Sequence, residues 1–272
     1  MTRFYTLSFT LHLILGLFFN VTSEPDYHQF EMILSRYVSS DGLVDYASLQ
    51  SEKEQLNLFI HSLNSIKHEN FSTWNEKSQI AFLINGYNAC VLQIIVNHYP
   101  IRPRKITSFL YPINSIMQIP GAFDRISFSI AGMQLTINQM ESLLQKNYSD
   151  PRFYFAIVNG SRSSPSLRQE PYTGEELDFQ LEDQVVRFLR SYQNLRVNPI
   201  EGKLFLSSML KRAAKILNSY YGNDELFPKM PASRKGVILF ISKYLSDYDR
   251  QMLLSGQLKI VFRKTDWALN QW

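Results

Sequence analysis

The chain reads as a helix-rich α+β protein: a single compact domain in which a buried central helix packs on a small mixed or antiparallel sheet. Three observations predict this. The run "IAFLINGYNACVLQIIV" is apolar nearly all round, as a helix without a solvent face must be. Alternating segments such as "ISFSIAGMQLTI" turn at Ala131-Gly132, the pattern of a β-hairpin. No repeat, low-complexity run or long linker divides the chain, so one α+β domain is the economical architecture.

The elements follow in order. Phe30, Ile33, Leu34 and Tyr37 recur at helical spacing, and after the turn "SSDGLVDYASL" a second helix is expected over Tyr46 to Ile66. Thr73 with Glu76 reads as a capping box opening the central helix, Glu76 to about Asn97. Pro100 and Pro103 prevent its continuation. The loop from Ile101 to Asp124 is longer than structural connections usually are. Beyond the hairpin, Thr136 and Gln139 form a second capping box before a helix, and Asp150-Pro151 leads into an expected strand, Phe153 to Val158. Leu177, Leu181, Val185 and Leu189 make one stripe of an amphipathic helix. "LRVN" and "KLFLS" flank Pro199 and Gly202 as a second hairpin. "SMLKRAAKILNSYY" reads as helix, "KGVILFISKYL" as a buried helix or strand, and "LKIVFRKTDWALN" closes the chain.

Residues 1–23 read as a signal peptide, leaving 24–272 as the domain. Arg3 precedes an apolar run of suitable length, and Val21 and Ser23 occupy the small-residue positions of a cleavage site before Glu24. Thr6, Ser8, Thr10 and His12 make the run too short and polar for a comfortable spanning helix, so no stable membrane anchor is expected after cleavage. The expected location is therefore exported, periplasmic or secreted. Removing the segment takes away Arg3 alone among charged residues, lowering the formal net charge from +4 to +3. That mild excess lacks a basic block, which argues against nucleic acid as a partner. Cys90 is the sole cysteine, so neither an intrachain disulfide nor a cysteine zinc site is possible, and its apolar neighbours mark it as core. No GxGxxG, P-loop, HExxH or EF-hand loop is present, and no metal or cofactor is expected.

Chemistry concentrates in "FYFAIVNGSRSSPSLRQEPY", where an apolar run breaks at Asn159-Gly160 into a turn rich in serine. Ser161 and Ser164 are candidate nucleophiles, although "NGSRSSP" does not match a G-x-S-x-G elbow. A serine nucleophile needs a base and a group to orient it. His98, ending the buried helix, is the candidate base, and Asp150 and Asp266, beside apolar strands, are the candidates to orient it, while His28, His61 and His68 read as solvated. Asn85 and Asn88 lie one turn apart on the central helix and must find partners. They either tie adjacent loops or orient a site.

Taken together, "YVSSDGLVDYASL", "AFLINGYNACVLQIIVNHYP", "GMQLTINQMES", "DPRFYFAIVNGSRSSPSLR", "YTGEELDFQLEDQVVRFL" and "DWALN" resemble the family known as domain of unknown function 547, found in bacterial exported proteins and in some plant proteins. Where the family pattern has a histidine and two cysteines, this chain has Tyr154, Asn159 and Ser164. The resemblance therefore implies a family framework lacking its strongest nucleophile. The expectation is a cleft-bearing binding protein or catalytically diverged member, with Asn85, Asn88, Asn159, Arg168 and Tyr154 toward a small or peptide-like ligand or an envelope component. The alternatives are a serine-dependent hydrolase or transferase using Ser161 or Ser164 with His98, and a purely structural envelope protein.

Overall fold

The computed structural model describes residues 25–222 and 231–272; the expected signal segment, 1–23, lies outside them. Helix α1 (His28–Tyr37) buries the four apolar residues its spacing singles out, and Phe30 stacks on Phe59 at 4.5 Å. The helix expected over Tyr46 to Ile66 is two helices, α2 (Tyr46–Ser51) and α3 (Lys53–Ser65). They part at Glu52, whose φ of −118° and ψ of 24° leave the helical region. The Asp45 carboxylate caps α2 by accepting from the Ser48 amide at 3.0 Å. Leu56, Phe59, Ile60 and Leu63 form the buried stripe of α3.

A short helix α4 (His68–Thr73) precedes the central helix α5 (Glu76–His98). The cap of α5 corrects the expectation, because Thr73 ends α4 and donates its hydroxyl to the Asn70 carbonyl. Asn75 is instead the extended residue next to Glu76, and its side chain accepts from the Ser78 amide at 2.9 Å. From Ile80 through Leu92 no residue of α5 faces solvent. By length and composition α5 is the described helix able to cross a membrane, yet the rest of the fold covers most of it. Each large aliphatic side chain buried this way stabilises the fold by roughly 1.5–3 kcal/mol.

Strands β1 (Ser127–Ile130) and β2 (Met133–Thr136) pair antiparallel. Ala131 and Gly132 both take positive φ, 48° and 72°, as a two-residue I′ turn requires. A Cβ at Gly86 would meet Leu63 and Ile130 at ordinary contact distance, so α3 and this hairpin close on α5 there. Helix α6 (Ile137–Asn147) opens with the expected capping box of Thr136 and Gln139.

Phe153 to Val158 do not form the expected strand. Pro151–Phe155 is a turn of 3₁₀ helix, with Asp150 accepting from the Arg152 amide, and residues 156–158 run on without a strand partner. Every side chain from Phe153 to Val158 is buried. A short run buried on all sides has no periodicity to distinguish strand from helix.

Helix α7 (Leu177–Arg190) buries its predicted stripe. Strands β3 (Leu195–Asn198) and β4 (Lys203–Leu206) form the expected hairpin, and the chain then passes through α8 (Ser208–Arg212) and α9 (Ala214–Tyr221). The segment left open as helix or strand is helix α10 (Ala232–Ser242). It crosses α9 so closely that a Cβ at Gly236 would sit 2.3 Å from the Leu217 carbonyl oxygen. After α11 (Asp247–Leu254), strand β5 (Lys259–Phe262) returns parallel to β4 and gives a mixed sheet ordered β3-β4-β5. The helix-rich α+β architecture is as the sequence predicts.

Candidate functional site

Two buried amides of α5 carry the site. The Asn88 side chain donates to the Ala156 carbonyl at 3.0 Å and accepts from the Val158 amide at 2.8 Å. One turn earlier, Asn85 donates to the Tyr172 carbonyl at 2.7 Å and accepts from the Tyr172 amide at 2.9 Å. These pairs supply what a β-ladder would otherwise give to residues 156–172, and they suspend the intervening chain from the core helix.

Between these two points the chain makes the serine turn. Gly160 has φ of +77°, which demands glycine, and a Cβ there would lie 2.5 Å from Ile95 Cδ1, so the end of that side chain would have to shift. Asn159 accepts from the Ser161 amide at 3.1 Å, Ser164 Oγ accepts from the Asn159 amide at 2.9 Å, and the Ser164 amide donates to the Ser161 carbonyl at 3.0 Å. The C-terminal segment runs alongside. Arg162 donates its amide to the Ala268 carbonyl, Asn270 its amide to the Gly160 carbonyl, and Asp266 its amide to Ser163 Oγ at 2.7 Å.

This turn forms one wall of a cavity of about 450 Å³. Residues 41–43, the 193–194 and 207–208 corners, and Arg263, Lys264 and Asp266 close it. The last group arrives through the parallel pairing of β4 and β5. Leu206 opposes Phe262, so Ser207–Ser208 and Arg263–Lys264 leave the sheet at the same end. The carboxyl end of parallel strands is a common ligand position.

The chemistry of the cavity is polar and net cationic. Ser161 is 1% exposed and its hydroxyl oxygen has no hydrogen-bond partner among the described residues. Arg162, Arg263 and Lys264 line the same space, and none forms an ion pair among the described residues. Arg263 is steadied from behind by the Phe205 ring at 5.5 Å. Asp41 and Asp266 are the acids of the lining, and Asp266 spends one oxygen on the Ala268 amide at 3.0 Å. No group of three or more His, Cys, Asp or Glu suited to a metal occurs among the described residues.

Ser161, Ser164 and Asp266 are thus brought together, but His98 is not joined to them. His98 is exposed, its Nδ1 meets the Ile94 carbonyl at 2.8 Å, and it lines a different cavity with Arg102 and Arg104. No hydrogen bond links it to a serine of the turn. Asn85 and Asn88 tie loops rather than face the cavity, and Asn159 braces the turn from beneath.

Arg168 lies outside the cavity lining and acts as a clamp. It is 5% exposed, and its guanidinium donates to Glu170 at 2.7 Å, to Asp183 at 2.5 Å and to the Gln180 carbonyl. Burial opposes its charge, but Asp183 and Glu170 outweigh that and raise its pKa above the ordinary value. Tyr154 likewise stays in the core, stacked on Phe153 at 4.5 Å, with its hydroxyl pushed up to about 12 by burial and then by Glu141.

The sequence reading missed Arg263, Lys264, Ser207 and Ser208. The usable signal was that "SS" and "RK" each directly follow a short apolar strand segment, which matters only once those strands are known to pair.

A family model described as "Protein of unknown function, DUF547" matches residues 71–189. Comparison with curated proteins and with solved structures finds no match. The matched segment contains α5, both suspending asparagines and the serine turn, whereas the cavity residues within 41–43 and 193–270 lie in the flanks. Over residues 71–189, the segment that builds the serine turn, the chain is similar to the DUF547 family.

Proposed function

We propose that this chain is an exported binding protein that takes an anionic, peptide-like or envelope-derived ligand in the cavity beside the serine turn. The observation that carries the reading is the buried, unpartnered Ser161 hydroxyl at a cavity whose lining includes Arg162, Arg263 and Lys264 without carboxylate partners. A buried hydroxyl without a partner costs about 1–3 kcal/mol, which a ligand oxygen accepting from it would recover. Guanidinium and ammonium groups at the same wall supply charge-assisted donors for a carboxylate or phosphate.

Support for binding rather than turnover comes from the missing relay. A serine nucleophile needs a base within reach, and the cavity lining holds neither histidine nor cysteine. Export rests on the basic start, apolar run and small-residue positions of residues 1–23.

The test is calorimetric titration of the full chain with a short acidic peptide, alongside Arg263→Ala, Lys264→Ala and Ser161→Ala. Saturable binding weakened by about tenfold or more in each charge variant is expected. Covalent labelling of Ser161 by a fluorophosphonate probe, abolished in Ser161→Ala, would instead establish a serine enzyme.

A further inference from the structure

The loop after α5 presents a second surface, outside the lining of the serine cavity. Ile106, Phe109, Leu110 and Ile113 are between 62% and 78% exposed, although they lie within eight residues of one another. The segment is nonetheless well held. The Thr107 and Ser108 amides donate to the Arg104 carbonyl, and the Leu110 and Tyr111 amides donate to the Thr107 carbonyl. Gln118, buried beneath, accepts from the Arg104 amide and the Thr107 hydroxyl and donates to the Tyr111 and Pro112 carbonyls. Tyr111 packs edge-on against Trp267, and the Asn114 carbonyl accepts from the Leu269 amide. An anchored loop whose largest apolar side chains point outward has a reason beyond folding.

Charge identifies the occupant. Arg102, Arg104 and Lys105 stand exposed at the base of the loop, and none forms an ion pair among the described residues. No acidic residue occurs from Tyr99 through Phe123. An apolar tip above a cationic collar complements an anionic lipid surface, with hydrocarbon receiving the tip and headgroup phosphates meeting the collar. A deformable bilayer accepts side chains this exposed without a matching pocket. The loop's internally bonded backbone also lowers the cost of leaving water. Beside the collar, a cavity of about 540 Å³ lined by His98, Arg102 and Arg104 has room for a headgroup.

We propose that residues 101–114 form a peripheral membrane-docking loop that inserts Ile106, Phe109, Leu110 and Ile113 into an anionic bilayer. The test uses the full chain carrying Phe109→Cys, labelled with an environment-sensitive thiol dye; Cys90 is fully buried and will not compete. The dye is expected to shift to the blue and brighten with phosphatidylcholine vesicles containing phosphatidylglycerol, but not with phosphatidylcholine alone. Replacing Arg102, Arg104 and Lys105 by Gln should weaken the effect by about fivefold per cation removed. Because the label reports on the loop itself, an apolar N-terminal segment binding elsewhere does not mimic the result. An unchanged dye spectrum with anionic vesicles overturns the proposal and leaves the patch to a protein partner. A shift that survives removal of the three cations overturns the collar's role.

Discussion

The serine turn and the loop after α5 sit at opposite extremes of the same design problem. Residues 156–172 are polar in sequence yet held inward, hung from α5 by Asn85 and Asn88. Residues 101–114 are apolar at their tip yet held outward, fastened by Gln118. In both, a buried side-chain amide does the work of secondary structure, so irregular backbone is ordered without a ladder. What differs is the face left open: a hydroxyl with cations in one, and hydrocarbon with cations in the other.

Breaking the inward suspension should have the largest effect. Asn88→Ala leaves the Ala156 carbonyl and the Val158 amide without partners, and a loss of about 2–5 kcal/mol is expected by denaturant unfolding. A loss below about 1 kcal/mol would mean that water replaces the amide. Next comes Gly160→Ala, expected to cost about 2–4 kcal/mol from left-handed strain and the clash with Ile95. Ile95→Val removes the clashing methyl, so the double variant should recover part of that loss, and strict additivity would place the conflict elsewhere.

The outward loop should respond oppositely. Phe109→Ser touches no core contact, so thermal stability should stay within about 0.5 kcal/mol of the parent, while vesicle binding falls. A clear loss of stability would show the tip to be a packing element. The smallest effect concerns Asp178, paired with Lys77 at 2.6 Å and with Arg152 at 2.9 Å. Lys77 first, then Arg152, hold its carboxyl below the ordinary range. A depressed carboxylate pKa stabilises the fold at neutral pH, and that contribution disappears as pH falls through and below the usual carboxylate range. Because the pair is exposed, Asp178→Asn should cost less than about 1 kcal/mol at neutral pH and flatten the acid limb slightly. An unchanged acid limb would show the pairing to be inert.

How much was legible in sequence follows from which interactions are local. The Thr136–Gln139 capping box and the apolar continuity of α5 are written within a few residues, and both were readable. The serine turn stood out because apolar chain stops at Asn159-Gly160. Residues 153–158 misled because burial on all sides erases the alternation that marks a strand. The Arg168 clamp left no local sign: among its acidic partners, Asp183 lies on α7 and is found only by folding. Arg263 and Lys264 reach the cavity through a parallel pairing between strands more than fifty residues apart, which leaves no short-range signature.

The most direct measurement is amide hydrogen exchange of the full chain with and without a saturating short acidic peptide. Added protection is expected at residues 161–166 and 263–270 alone, with none in residues 101–114. Protection centred on His98 and residues 99–104 instead, with the serine turn unchanged, would contradict binding at the serine turn.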